Sequence, residues 1–249
     1  MIDLSLFLLF LIGFFSAFIA PMTPGIGFLS LTALLILGFE PSVAIALNVS
    51  ASIGGNLTAT LKYHTERYLD TRLLLPLIVP MAVGGLIGAY ILLGIPGDLL
   101  KHVLGISMIL MIFLIAAHQD QGVRKIKKRI SMSRRWLGYG AMGGIGMWGG
   151  FMGSGFGPLS TVVLLTIFNK TYLETSALRM ALFLFVAPFA TIVYYQNGLL
   201  QILPAVVLFA GSALGAYLGV HGAIRLGNRW IRYITIPFLL LASIKLLFF

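Results

Sequence analysis

Apolar runs of about 18 or more residues recur from one end of this chain to the other, and such runs read as membrane-crossing helices. In lipid every backbone polar group needs an internal partner, so a chain of this kind folds as helices or as a closed barrel. The composition supports the same solvent. Of the 249 residues, 59% are hydrophobic and 10% charged, with a mean hydropathy of +1.01, whereas a soluble domain carries about 25% charged residues. The fold class expected is an all-α polytopic membrane protein, with the lipid bilayer as its main partner. The first run lacks a basic leading segment and has Asp3 as its early charge, so it reads as a span rather than a removable signal peptide.

Two Gly-rich stretches interrupt the apolar runs. Gly153-Ser154-Gly155-Phe156-Gly157-Pro158 breaks the run from Trp136 to Phe168, and Pro24-Gly25-Ile26-Gly27-Phe28 is its twin. Gly25-x-Gly27-x-Leu29-Ser30 aligns with Gly155-x-Gly157-x-Leu159-Ser160, an offset of 130 residues. Broken apolar helices at matching places in two halves point to a transporter's binding site.

Taken in order, residues 5–20 form an apolar helix ended by Pro21, and Pro21–Gly27 is non-helical. Phe28–Leu37 is a second short helix, stopped by Gly38. Each piece spans about 15–24 Å, short of a ~30 Å hydrocarbon core, which predicts a hairpin that dips in and returns. Fuller spans follow at about Pro41–Leu61, Leu73–Leu93 and Leu99–His118. The second half repeats the plan with Trp136–Met152 and Pro158–Phe168, then spans at Thr171–Tyr195, Leu200–Gly222 and Trp230–Phe248. Gly84-Gly85-Leu86-Ile87-Gly88-Ala89-Tyr90 also matches Gly211-Ser212-Ala213-Leu214-Gly215-Ala216-Tyr217. The expected organisation is a first transmembrane repeat at 1–118, a basic linker at 119–135 and a second repeat at 136–249.

Charge orients this plan. The net charge is +10, and seven of the 17 Lys and Arg lie between Arg124 and Arg135. Placing that linker in the cytoplasm puts Lys62, Arg67, Arg72, Lys170, Arg225, Arg229 and Arg232 on the same side, as the positive-inside rule requires. The uncharged turn Gln196–Gln201 then falls outside. Each half crosses three times plus a hairpin, so the halves insert in opposite senses and both termini lie outside. The architecture expected is two inverted repeats, each a broken-helix hairpin plus three transmembrane helices. Hairpins that cross as single bent helices would instead put Lys170 outside and the N-terminus inside. The basic cluster reads as an orientation signal, with no nucleic-acid partner.

The breaks supply helix N-termini, whose free N–H groups and positive dipole end suit an anion. Gly25, Gly27, Gly155 and Gly157 allow close approach to that backbone, Pro158 suits a first helical position, and Thr23, Ser30, Ser154 and Ser160 offer hydroxyls. The blander reading is that the glycines only let helices pack closely, which fits Gly84, Gly88, Gly211 and Gly215 better. Arg179 sits about eight residues into its span, roughly 12 Å deep. An intramembrane Arg is costly and a functional candidate, and with no deep carboxylate it is a counter-charge for an anion. It could otherwise pair with Glu174 or snorkel to the interface. Asn48, Ser52 and Asn56, four apart, form one polar face that lines a site or bonds to neighbouring helices. His64, His102, His118 and His221 fall near span ends; Trp136, Trp148, Tyr194 and Tyr195 read as interface anchors, and Lys245 near the outer end can snorkel.

Catalytic inventories fail. No H-E-x-x-H or deep carboxylate pair is present, Ser154 has no histidine at its depth, and ligand spacings imply neither metal nor cofactor. Without cysteine, thiolate chemistry is excluded.

These residues resemble the TauE/SafE group of sulfite and organosulfonate exporters, also called the toluene-sulfonate uptake permease family. The resemblance covers nearly the whole chain. It rests on the paired Gly-rich breaks, on Pro41-Ser42-x-Ala44-x-Ala46 and on the Gly84–Tyr90 and Gly211–Tyr217 repeats; the first break departs from the family's usual run of consecutive glycines. It implies secondary transport of small sulfur-containing anions across a prokaryotic inner membrane. The expected substrate site comprises Thr23, Gly25, Gly27, Asn48, Ser52, Ser154, Gly155, Gly157 and Arg179. A passive anion channel with the same lining and a membrane scaffold without flux are the alternatives, and a homo-oligomer is compatible with the sequence.

Overall fold

A computed structural model describes residues 2–117 and 130–247. Every regular element among them is helical: α1 (Ile2–Ile19), α2 (Gly27–Ile36), α3 (Pro41–Thr65), α4 (Thr71–Leu93), α5 (Gly97–Ala117), α6 (Met132–Met152), α7 (Phe156–Thr166), α8 (Tyr172–Phe183), α9 (Ala187–Gln196) and α10 (Ile202–Leu247). The last is bent at Gly227, whose φ is +74°. His118 and the linker through Arg129 lie outside the described residues, while Met132–Arg135 form the first turn of α6.

Helix starts follow from the caps that the sequence supplies. Asp70 accepts from the Arg72 and Leu73 amides to open α4, Ser131 opens α6, and Thr171 with Glu174 forms a reciprocal capping box on α8. Each satisfies N–H groups that a helix start leaves without partners. Pro41 occupies the first turn of α3, where its missing N–H costs no bond.

Thr71–Leu93, Tyr172–Gln196 and Ile202–Gly227 are long and apolar enough to cross a membrane, whereas Leu4–Ile19, Gly27–Ile36 and Phe156–Thr166 are shorter apolar helices. The α6–α7 hairpin returns to the end it left: an Arg134 Nη2 at the start of α6 donates to the Thr166 carbonyl at the end of α7, 2.7 Å away. Tyr139 and Phe168 stack beside that bond. Lys170 then pairs with Asp70 at 2.5 Å, so the α3–α4 and α7–α8 connections share one end of the molecule. Within the molecule α6 and α7 thus form a hairpin rather than one bent helix.

Packing is reciprocal between the halves. α1 lies along α10 and α4 along α6, and each pair runs parallel. A Cβ on Gly211, Gly215 or Gly219 would meet the carbonyl oxygen of Phe10, Phe14 or Phe18 at 2.3, 2.0 and 2.1 Å. One on Gly84 or Gly88 would meet that of Gly143 or Met147 at 2.3 and 1.8 Å. Small residues let these backbones touch, as membrane helices commonly require.

The expected span Thr171–Tyr195 is present as Tyr172–Gln196, but it is kinked: α8 stops at Phe183 and α9 starts at Ala187. Pro188 in the first turn of α9 cannot donate to the Leu184 carbonyl. Val186, fully buried in the break, packs where a Cβ on Gly85 would stand 2.9 Å from it.

Candidate functional site

The two Gly-rich tips meet. Gly25 and Gly155 both have positive φ, +105° and +90°, and Gly153 has +67°; the left-handed region favours glycine because a Cβ crowds the following carbonyl. These turns end α1 and α6 and launch α2 from Gly27 and α7 from Phe156. Pro158 is therefore the third residue of α7 rather than the first. The position is equally tolerant, since the first four helical N–H groups have no intrahelical acceptor. A Cβ on Gly157 would lie 3.2 Å from the Gly25 nitrogen and 3.5 Å from Arg179 Nη1. Gly25, Gly27, Gly155 and Gly157 leave their N–H groups without a backbone acceptor among the described residues.

A polar network fixes one tip against the other. Ser154 Oγ donates to the Gly27 carbonyl at 2.8 Å and receives Asn48 Nδ2 at 3.2 Å. Ser30 Oγ lies 2.5 Å from Asn48 Oδ1. The Trp148 indole N–H donates to the Ser154 carbonyl at 3.0 Å. Trp148 is thus a brace for the tip, not an interface anchor. Tyr194 is also no anchor: it is fully buried and donates to the Gly150 carbonyl. Trp136 and Tyr195 are exposed. His64, His102 and His221 are exposed near the basic or opposite ends.

Between the tips lies a cavity of about 140 Å³. Gly25, Gly27, Asn48, Ser52, Ser154, Gly155, Gly157 and Arg179 line it, so eight of the nine expected residues converge there. Thr23 does not: it is fully buried in the loop before the tip, its hydroxyl without a partner. Ser160 also turns away, donating to the Phe156 carbonyl at 2.6 Å. Sequence reasoning missed Ser16 and Ser212, which line the opposite wall from α1 and α10; single serines in apolar helices carry no signal of what they face. Of the polar face on α3, Ser52 and Asn56 bond back to their own helix, and Asn48 alone of the three bridges to the tips.

Arg179 is 7% exposed. One Nη2 donates to the Ala20 carbonyl and Nη1 faces Gly157. No ion pair to Arg179 occurs among the described residues, and Glu174 is turned to the Thr171 amide at 3.0 Å. Among the described residues that line the cavity none is acidic. A buried cation without a carboxylate, beside two sets of unpaired N–H groups, makes the cavity electropositive and donor-rich.

The family model described as Sulfite exporter TauE/SafE matches residues 9–246. The chain belongs to the sulfite exporter TauE/SafE family. Its relatives span almost their full length. A probable membrane transporter protein of Haemophilus influenzae is 26% identical over 99% of this chain and 96% of its own. The probable membrane transporter protein ORF9 of Sinorhizobium sp is 26% identical over 96% and 89%, and the Escherichia coli K12 probable membrane transporter protein YfcA 24% over 98% and 90%. No solved structure matches the chain. As a TauE/SafE member with several apolar spans, the protein is a multi-pass membrane transporter.

Proposed function

We propose that the protein is a secondary transporter that moves a small sulfur-containing oxyanion, such as sulfite or a sulfonate, across a prokaryotic inner membrane. The cavity between the tips is the substrate site. Arg179 supplies the counter-charge. The N–H groups of Gly25, Gly27, Gly155 and Gly157 contact the oxyanion, and Asn48, Ser52 and Ser154 complete the polar lining. The observation that carries this reading is Arg179: a guanidinium buried without a carboxylate is expensive unless an anion visits it. Its planar donor fork matches an oxyanion with several acceptor oxygens.

The reciprocal packing of α1 on α10 and α4 on α6 supports two inverted repeats, because each half contributes the same pair of elements in the same roles. Rocking of one set of helices against the other around the tips would expose the cavity alternately to each side. The basic end, with Lys62, Arg72, Arg134 and Lys170, faces the cytoplasm in this reading, which leaves both termini outside.

Flux into proteoliposomes tests it. Sulfite, methanesulfonate, chloride and a neutral solute are offered to wild type and to Arg179→Gln. Saturable sulfur-anion flux with counterflow is expected, lowered on the order of 10- to 100-fold in the variant, because a hydrogen bond to a charged group contributes about 1.5–3 kcal/mol. Chloride flux without saturation would make the protein a channel. A folded protein that moves none of these solutes refutes the sulfur-anion assignment.

A further inference from the structure

Seven buried side-chain polar atoms lack a hydrogen-bond partner among the described residues, and four belong to the three segments that meet beside Arg179. These are Thr23 Oγ1, Tyr63 OH, Thr175 Oγ1 and Arg179 Nε. Thr23 and Tyr63 are 0% exposed and Thr175 1%. Three elements meet there. The loop before the first tip is tied to α8 by Ser176 Oγ donating to the Pro21 carbonyl at 2.9 Å and by Arg179 donating to Ala20. Tyr63, on the last turns of α3, stands beside Ser176 and Arg179. Thr175 is one turn from Arg179 toward Lys170, so the junction lies between the cavity and the basic end.

An unpaired buried hydroxyl lowers stability, and native proteins keep few of them. Four on these segments, beside a buried cation, call for an occupant that accepts hydrogen bonds. Hydroxyls and a guanidinium N–H all donate, and a cation is repelled by Arg179. Met22, Tyr172 and Val220 belong with Tyr63 to one buried apolar cluster, so the ring of Tyr63 is packed among apolar side chains while its hydroxyl has no partner. Arg179 belongs to both places, with Nη1 facing Gly157 at the cavity, Nη2 donating to Ala20 at the junction and Nε without a partner.

We propose that Thr23, Tyr63, Thr175 and the Nε side of Arg179 form a second anion station, which a small oxyanion occupies between the cavity and the basic end. The proposal rests on the transport reading for its role but not for its test. The chain has no cysteine, so Thr175→Cys carries a single thiol. In proteoliposomes it is treated with the anionic reagent sulfonatoethyl methanethiosulfonate and its trimethylammonium counterpart of similar size. The anionic reagent is expected to react about tenfold faster or more, and Arg179→Gln to erase the preference. Equal rates, a preference for the cation, or no reaction with either reagent overturns the station. Thr175→Val gives the second readout. It removes an unpaired hydroxyl, so its melting temperature should equal or exceed that of wild type while sulfite flux falls about fivefold or more; where wild type transports sulfite, unchanged flux also overturns the station. If wild type moves no sulfur anion but the labelling preference holds, the transport assignment fails and the anion station stands.

Discussion

Gly25 and Gly155, one on each tip and 130 residues apart, share a left-handed backbone, with φ of +105° and +90°. An L side chain there costs about 1–2 kcal/mol. Gly25→Ala and Gly155→Ala should each destabilise by that amount and turn the neighbouring amides. Gly157→Ala has no such backbone penalty, but its methyl would stand 3.2 Å from the Gly25 nitrogen and 3.5 Å from Arg179 Nη1. It is expected to melt within a few degrees of wild type yet lose most sulfite flux. Flux and melting temperature measured on the three variants check the contrast.

Helix packing has its own signature. A Cβ at Gly88 or Gly215 would enter the Met147 or Phe14 carbonyl, at 1.8 and 2.0 Å, so either alanine must push two helices apart. Overpacking of this kind costs about 1–3 kcal/mol or more. Gly144, on the exposed face of α6 with nothing within 4 Å of its Cβ position, should gain about 0.5–1 kcal/mol as alanine. Thermal melting in one detergent gives the signs: down for Gly88→Ala and Gly215→Ala, up for Gly144→Ala.

At the basic end, burial pushes the Asp70 carboxyl up, but Lys170 and the Leu73 and Arg72 amides outweigh it and hold its pKa below the usual carboxylate value. A depressed folded pKa contributes stability that is present above the unfolded value of about 3.9 and lost as pH falls through the folded one. Lys170→Gln should therefore destabilise at pH 7 and lose that difference from wild type below about pH 4. Asp70→Asn keeps an N-cap oxygen while Asp70→Ala loses it, adding about 1 kcal/mol. Melting curves of the three variants against pH measure both effects.

The Trp148 indole N–H holds the Ser154 carbonyl at 3.0 Å. Trp148→Phe keeps the ring but removes the donor, leaving that carbonyl unpaired, at a cost of about 1–3 kcal/mol if it stays buried. A larger fall in flux than in stability is expected, since the second tip loses its brace; an unchanged sulfite KM and maximal rate would contradict this role.

Much of the site was readable because glycine and arginine are rare choices in such places. The pairing of Gly25 with Gly155 showed as a sequence offset, and Arg179 stood out as a charge in an apolar run. Proline was ambiguous. Pro76 and Pro80 lie inside an unbroken α4, whereas Pro188 follows the kink between α8 and α9. Residue type is the same in each case, and the packing of Val186 against Gly85 and Phe183 against Gly149 accompanies the break. Aromatics were misread for a related reason. An indole or phenol in an apolar run suits the interface equally well until its partner is known, and Trp148 and Tyr194 find theirs in the Ser154 and Gly150 carbonyls. Thr23 was legible as polar and near the tip, but not as buried off the cavity.

The lodging of α1 on α10 sets an order of assembly. The partner of α1 leaves the ribosome roughly 200 residues after it: Phe10 waits for Gly211 and Phe18 for Gly219. Contacts so distant in sequence form slowly. Until then the glycine-facing stripe of α1 has only lipid or a chaperone against it. A chain released after α6 would retain the α4–α6 pair but leave α1 an orphan, so biogenesis of this protein is exposed to quality control until α10 arrives.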